Sequence, residues 1–177
     1  MMLRPLPFIW SDGAMHPDAK FRQLAQRQFK EGDRYVLEPH DEVSHAERGH
    51  YFASVNDAWK NLSDAATARY PTANHLRRWA LIKAGWRKEN FTVCDSENRA
   101  TQLAAFVRAL DDAAVVVVEK NVVRTYVART QKIGPPDQGY MTKDEWKRSK
   151  EDVLEILSGT IGVSRKALEK EGRLSSP

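Results

Sequence analysis

The chain has 177 residues, of which 41% are hydrophobic, and a formal net charge of +4. This length suits one domain with a sizeable core, and the single cysteine, Cys94, excludes an internal disulfide and a paired-cysteine metal site. No apolar run approaches membrane-spanning length, and the proline-broken N-terminus is unlike a signal peptide, so we expect a soluble protein of the cytoplasm.

The first forty residues predict a hairpin, a helix and a strand, in that order. Asp12-Gly13 is a turn sequence between two short apolar runs, which is typical of a β-hairpin. Pro17 favours a helix start and Gly32 a helix end. Alternating polarity over 34–38 then predicts a half-buried strand.

The segment from Ser44 to Leu62 predicts an amphipathic helix. Ser44 and Glu47 are spaced as a capping box, in which each side chain bonds the other residue's amide. Apolar residues that recur at spacings of three and four, and are therefore predicted to face the core, are Phe52, Val55, Trp59 and Leu62. His50 and Tyr51, at the helix entrance beside this stripe, are candidate ligand contacts.

Beyond residue 62 the pattern predicts three strands and several more helices. The helices are expected over 63–70, 72–85, 99–110, 142–162 and 164–171, and the strands over 86–94, 113–120 and 122–130. The run over 113–120 is apolar without interruption, which predicts a place in the middle of the sheet. Phe106 and Leu110 are predicted to face inward.

These elements together predict an α+β fold in which a small mixed or antiparallel sheet packs against several helices. We expect a single domain over 1–162, followed by a short C-terminal helix and a frayed tail over 163–177.

The sequence contains no complete catalytic motif. The nucleotide and hydrolase signatures GxxxxGK[ST], GxGxxG and GxSxG are absent. Histidines and carboxylates occur together over 40–50, but His45 and His50 lie about 140° apart on a helix and cannot share one face. We therefore expect a surface histidine cluster, no metal site and no cofactor. A nuclease would need several carboxylates around a divalent cation, and the sequence does not gather them.

The positive charge is concentrated in three islands, over 18–30, 69–94 and 120–132. If the islands converge on one face, their positive charge suits binding of a phosphate backbone. Aromatic rings among these basic residues suit stacking with unpaired nucleotide bases. The candidate nucleic-acid contacts are Lys20, Arg22, Arg27, Arg77, Arg78, Lys83, Trp86, Arg87, Lys88, Arg124, Tyr126, Arg129 and Lys132. The alternative for each island is the solvated face of an amphipathic element. Trp79 is predicted to fill the core, whereas for Trp86 core and surface stay open.

A resemblance to a phage group adds to these patterns. The helix segment HYFASVNDAW, the strand end YVARTQKI and the helix start MTKDEW occur in an order that resembles phage and prophage proteins of the NinB (Orf) recombination group. The matching residues are Tyr51, Phe52, Ala53, Thr130, Glu145 and Trp146, within 34–62 and 122–160. The resemblance implies a homodimeric accessory to homologous recombination that binds single-stranded DNA and contacts the host's single-strand-binding protein.

We therefore predict a non-enzymatic, phage-type nucleic-acid-binding protein of the bacterial cytoplasm, with single-stranded DNA as the favoured partner and no membrane partner. Its affinity should fall steeply with salt and show little sequence preference. The alternative is a protein–protein interaction module or inhibitor from a mobile element, whose basic surface recognises an acidic partner. A metal-dependent nuclease is the third reading.

Overall fold

The computed structural model describes residues 6–36, 43–134 and 136–175. The chain is α+β, as the sequence predicts, with helices and two small antiparallel sheets. It forms two compact units, residues 1–39 and 40–177, and each is described by itself. Within the described residues, no helix is long and apolar enough to cross a membrane.

The smaller unit is a hairpin followed by a short helix. Its elements are β1 (Phe8–Ser11), β2 (Ala14–Pro17), a 3-10 turn (Ala19–Phe21) and α1 (Arg22–Gln28). Asp12 and Gly13 have φ values of 52° and 76°, so the predicted turn is confirmed as a tight hairpin turn. Residues 34–36 form no strand, which corrects that part of the strand predicted over 34–38. The remainder, 37–38, lies outside the described residues.

The larger unit contains six helices and three strands within its described residues. They are α2 (His45–Lys60), α3 (Asp64–Arg69), α4 (Ala73–Lys83), β3 (Arg87–Val93), α5 (Glu97–Leu110), β4 (Val115–Glu119), β5 (Val122–Ala128), α6 (Lys143–Ile161) and α7 (Arg165–Ser175), with a 3-10 turn at Pro136–Gln138. At α6 the capping box of Thr142 and Glu145 is complete. At α2 the Ser44 hydroxyl caps the helix, but the Glu47 carboxylate accepts from Lys150 instead.

Helices α2, α4, α6 and α7 enclose the main core. The largest fully buried side chains include Trp146, Tyr51, Leu76, Leu81, Met141 and Leu157. On α2 the buried residues are Tyr51, Ser54, Val55 and Ala58. Of the predicted stripe, Val55 is buried and Trp59 and Leu62 pack against the core, whereas Phe52 is 47% exposed and Tyr51 is buried in its place.

Helix α7 packs closely against α2. Gly172 is buried against Ser54, and a Cβ added at Gly172 would lie 2.0 Å from the Ser54 hydroxyl oxygen. Leu168 of α7 is buried in the same core. The C-terminal helix is thus an integral part of the larger unit's core.

The three-stranded sheet has the order β3-β5-β4 and is antiparallel throughout. The prediction that the apolar run over 113–120 lies in the middle of the sheet is wrong, since β5 is central and β4 is an edge. One face of β4 packs against the rest of the unit, since Val116 and Val118 lie with Val123 against α5.

Helix α5 approaches the sheet through small residues. Ala100 and Ala104 are fully buried, which lets the helix lie close to Val123. Phe106 and Leu110 were expected to face inward, but they are exposed on the far side of the helix. That part of the prediction is wrong, because alanines rather than the larger apolar residues face the sheet.

Candidate nucleic-acid interface

The face of the sheet opposite α5 is open. Directly opposed residues of antiparallel strands share a face, so Arg124 of β5 lies between Phe91 of β3 and Val117 of β4. All three are exposed, Phe91 at 72%, and no described element of the larger unit covers this middle row. We name this surface the open face. Its residues are Arg87, Glu89, Phe91, Val93, Val115, Val117, Glu119, Val122, Arg124 and Tyr126. Ala128, at the end of β5, packs against the helical core.

Two rings and two arginines meet on the open face. Arg124 and Tyr126 alternate along β5 and so share this side. The Arg87 guanidinium lies 4.6 Å from the centroid of the Tyr126 ring and also donates to the Ile82 carbonyl. Phe91, which sequence reasoning did not select, is the most exposed ring of this sheet. The alternation of Phe91 with polar neighbours predicts only which side of the strand its ring occupies. Its place beside Arg124 follows once the strand order is known.

The formal charges on the open face balance. Glu89 and Glu119 offset Arg87 and Arg124. The Arg124 guanidinium lies 3.5 Å from the Glu89 carboxylate, and both side chains are nearly half exposed, at 47% and 42%. Exposed ion pairs of this kind contribute about 0–1 kcal/mol, so a competing anion can replace Glu89 at little cost.

Two predicted arginines are held inside the larger unit. Arg77 donates to the Gln131 side-chain oxygen at 2.5 Å and to Asn74 at 2.7 Å. Arg78 donates to Asp111 at 2.5 Å, and this hydrogen bond holds the pKa of Asp111 below its usual range. These guanidiniums join α4 to neighbouring segments and do not form part of the open face.

Trp86 and Arg129 form a second structural junction. The Arg129 guanidinium lies 5.8 Å from the centroid of the Trp86 ring and donates to Glu145 at 2.9 Å. That hydrogen bond lowers the pKa of Glu145. The Trp86 indole donates to Asp152 at 2.8 Å, and its ring packs against the helical core. Both residues therefore tie the end of the sheet to α6.

The other predicted bases are exposed and are not among the residues of the open face. Lys83 lies 5.0 Å from the centroid of the Trp79 ring, which is itself partly buried against the core, as predicted. Lys88 lies on the opposite side of β3 from Phe91, because successive side chains of a strand alternate between its two sides. Also exposed are Lys132 and, in the smaller unit, Lys20, Arg22 and Arg27. From the islands over 69–94 and 120–132, the sheet brings Arg87, Arg124 and Tyr126 together.

His50 and Tyr51 line a separate site, a cleft of about 340 Å³ between α2, α6 and α7. We name it the helical cleft. Its lining residues are Glu47, His50, Tyr51, Ser54, Lys150, Leu154, Arg165, Glu169 and Arg173. Lys150 donates to Glu47 at 2.6 Å, and Arg165 donates to Glu169 at 2.8 Å.

Tyr51 also belongs to a buried polar network behind the helical cleft. Its hydroxyl donates to the Gln131 side-chain oxygen at 3.0 Å, and the Gln131 amide donates to Ser149 at 2.8 Å. Burial raises the pKa of Tyr51 to about 12, against the opposing effect of Arg77. The hydroxyl therefore stays protonated at neutral pH and acts as a donor that joins α2 to the segment after β5.

A metal centre finds no support among the residues that the structure describes. No group of three or more histidine, cysteine, aspartate or glutamate side chains is placed there to hold an ion. His45, His50 and Glu47 of the predicted surface cluster are described, whereas residues 40–42 lie outside the described ranges.

Comparisons of the chain with protein-family models, curated proteins and solved structures find no match. The resemblance to the NinB (Orf) group therefore stays a prediction. The function has to be argued from the open face and the helical cleft.

Proposed function

We propose that the protein is a non-enzymatic binding protein whose open face takes single-stranded nucleic acid. The observation that carries the proposal is the meeting of Phe91, Tyr126 and Arg124 on a sheet face whose middle row is uncovered. Exposed rings stack with unpaired bases, a contact worth about 1–3 kcal/mol per base. Arg124, opposite Phe91 and two residues before Tyr126, can bind phosphate through its planar guanidinium.

The geometry favours single strands over duplexes. In a duplex the faces of the bases are stacked on one another, so a protruding ring such as Phe91 has no base face to contact. Because the open face carries two arginines, at most about two phosphates are neutralised there, and the logarithmic salt slope should be near −1.4. This is a shallower dependence than the three basic islands led us to expect.

The finer parts of the proposal come from the resemblance. Single-stranded DNA as the natural ligand, a role in homologous recombination, a homodimer and contact with a host single-strand-binding protein all belong to the proposal on that ground. The open face supports the ligand class, and binding to DNA and RNA strands of one sequence would distinguish the two.

The proposal is tested by fluorescence anisotropy with a labelled single strand and its duplex at low salt. We expect Phe91→Ala to weaken single-strand binding about 5- to 150-fold, the equivalent of one stacked base. Phe106→Ala is the matched control, since this ring on α5 is also well exposed, at 60%, but lies off the open face. Equal loss in both variants, or no binding by the wild type, would overturn the proposal.

A second variant tests the sign of the electrostatic contribution. Glu89→Gln removes the carboxylate beside Arg124, so we expect the affinity for the single strand to rise a few-fold. Glu97→Gln, an exposed carboxylate at the start of α5, should leave it unchanged. A fall in affinity on Glu89→Gln would contradict phosphate binding by Arg124.

The free edge of β3 favours a second candidate, a protein–protein interaction module. The Arg129 amide donates to the Trp86 carbonyl and the Cys94 amide donates to the Asn121 carbonyl, so the even-numbered residues of β3 bond to β5. The backbone groups of Glu89, Phe91 and Val93 consequently point away from the sheet. An extended segment of a partner can pair with such an edge and cover the exposed apolar side chains.

Amide hydrogen exchange tests whether this edge is free. We expect the amides of Phe91 and Val93 to exchange much faster than those of Asn90 and Thr92, and to become protected when an extended partner pairs with β3. Uniform protection along β3 in the isolated protein would show that its edge is already covered, and would contradict this candidate.

A further inference from the structure

We infer that the smaller unit contains a binding site for a nucleobase. The site is a cavity of about 480 Å³ whose walls include the rings of Phe8, Phe29 and Tyr35, and we name it the aromatic pocket. All of its lining residues come from the hairpin, α1 and the segment that directly follows α1. The aromatic pocket is thus a different site from the open face, which belongs to the larger unit.

The three rings of the aromatic pocket meet edge to face. The centroid of the Phe29 ring lies 5.7 Å from that of Phe8 and 4.8 Å from that of Tyr35, with interplanar angles of 69° and 81°. The Tyr35 hydroxyl accepts from the Lys30 amide at 2.9 Å and donates to Asp33 at 3.4 Å, which holds the ring in place. Rings in this arrangement do not cover one another as a parallel stack does, so they offer a flat ligand faces on which to stack.

The polar side chains of the aromatic pocket match the edge of a base. The Gln26 amide both donates and accepts, the Lys30 ammonium donates and the Glu31 carboxylate accepts. No hydrogen bond or ion pair joins these three side chains to another described residue. In the helical cleft, by contrast, Lys150 and Arg165 are already paired with carboxylates.

The charge of the aromatic pocket favours a neutral ligand. Lys30 and Glu31 carry opposite charges, so the lining has no surplus of either sign. A nucleobase is neutral, carries donors and acceptors along its edge and stacks through its faces. A base therefore fits this lining better than a phosphate group does.

The smaller unit has little core of its own. Among its described residues, 6–36, Ala25 is the one that is buried. A unit of about 40 residues buries too little apolar surface to be stable by itself. A base between the three rings would extend this core, and about 480 Å³ is within the range of roughly 300–1000 Å³ for small-molecule sites.

The direct test is a titration of the full-length protein with adenosine 5′-monophosphate, followed by NMR of the backbone amides. Ribose 5-phosphate is the matched probe, because it has the same phosphate and sugar but no base. We expect shift changes at the residues lining the aromatic pocket with the nucleotide alone. Equal changes with both compounds, or none with either, would overturn the inference.

A second comparison separates a base site from a merely apolar cavity. Benzyl alcohol is flat and aromatic but lacks the hydrogen-bonding edge of a base. We expect it to bind the aromatic pocket about tenfold more weakly than adenosine, the equivalent of one or two lost hydrogen bonds. Binding as tight as that of adenosine would contradict the recognition of a base.

A pair of glutamine variants tests how the edge of the base is recognised. Gln26→Ala should weaken the binding of adenosine 5′-monophosphate about 2- to 10-fold, the loss of one neutral hydrogen bond. Gln23→Ala is the matched control, because this glutamine is also exposed on α1 but does not line the aromatic pocket. An equal effect in both variants, or none in Gln26→Ala, would contradict the inference.

Two sources of the base are separated with a single-stranded oligonucleotide. Shift changes that it causes at the aromatic pocket, reduced in Gln26→Ala, would support the inference and assign the site to an unpaired base of a strand. Changes with the free nucleotide but not with the strand would support it with a free nucleotide as ligand. Phe91→Ala should bind adenosine 5′-monophosphate as the wild type does, because Phe91 belongs to the larger unit, and a loss there would contradict the inference.

Discussion

The open face and the helical core use their aromatic residues in opposite ways. Trp146 and Tyr51 are almost fully buried and close the core between α2 and α6, whereas Phe91 stands on the sheet with 72% of its surface exposed. The arginines of the two regions also differ in how firmly they are held. Arg77 donates a hydrogen bond to Gln131, whereas Arg124 has one weak, exposed partner, Glu89. Trp146 and Tyr51 are therefore part of the core, whereas Phe91 is accessible to a ligand.

The largest contrast should appear in stability. Trp146→Ala removes a ring that is 1% exposed, and we expect it to lower the free energy of unfolding by about 3–5 kcal/mol. Phe91→Ala should change it by no more than about 0.5 kcal/mol, since the ring is on the surface. Urea denaturation of both variants measures the difference. Comparable losses would mean that Phe91 is part of a packed core and not of an open face.

The contact between α2 and α7 gives the next effect. Gly172→Ala forces a carbon against the backbone and hydroxyl of Ser54, so we expect about 1–3 kcal/mol of destabilisation. Gly159→Ala in α6 is the control, because its position is open and alanine favours the helix by about 0.5–1 kcal/mol. If thermal unfolding showed the same shift for both, the close packing of α7 would be refuted.

The buried hydroxyl network should have a smaller effect. Tyr51→Phe removes the hydrogen bond to Gln131, which retains its bond with Arg77, so we expect a loss of about 0.5–1.5 kcal/mol. Tyr126→Phe, on the open face, should be neutral. Chemical denaturation distinguishes them, and an equally neutral Tyr51→Phe would show that this network does not stabilise the core.

The smallest effect concerns acid stability. Hydrogen bonding to Arg129 lowers the pKa of Glu145 in the folded protein, so the pair stabilises the fold above the unfolded pKa of about 4.3. That contribution disappears as the pH falls through the lowered folded pKa. Unfolding curves measured from neutral pH to pH near 2 give the free energy of unfolding as a function of pH. In Glu145→Gln this free energy should fall less steeply with decreasing pH in the acid range. An unchanged profile would mean that the ion pair is unimportant.

Local signals in the sequence predicted much of the fold. Ser63 and Thr142 cap helices through contacts within three residues, and Asp12-Gly13 closes a hairpin by its own backbone preference. Local alternation likewise places Arg124 and Tyr126 on one side of β5.

Long-range pairing set the rest. The central place of β5 depends on its pairing with β3, about thirty residues earlier, and no local pattern gives that order. Arg77 donates a hydrogen bond to Gln131, 54 residues away. This structural role could not be predicted from the basic island in which Arg77 lies. Phe91 was overlooked for a related reason, since its exposure follows from β3 being an edge strand, all seven residues of which are exposed.

Chemical-shift mapping with a short unlabelled oligonucleotide shows whether the open face binds single strands. At low salt we expect shift changes concentrated on β3 and β5 around Phe91, Arg124 and Tyr126, and their loss in Phe91→Ala. Shift changes confined to the helical part of the larger unit or to the smaller unit, with β3 and β5 unaffected, would refute single-strand binding by the open face.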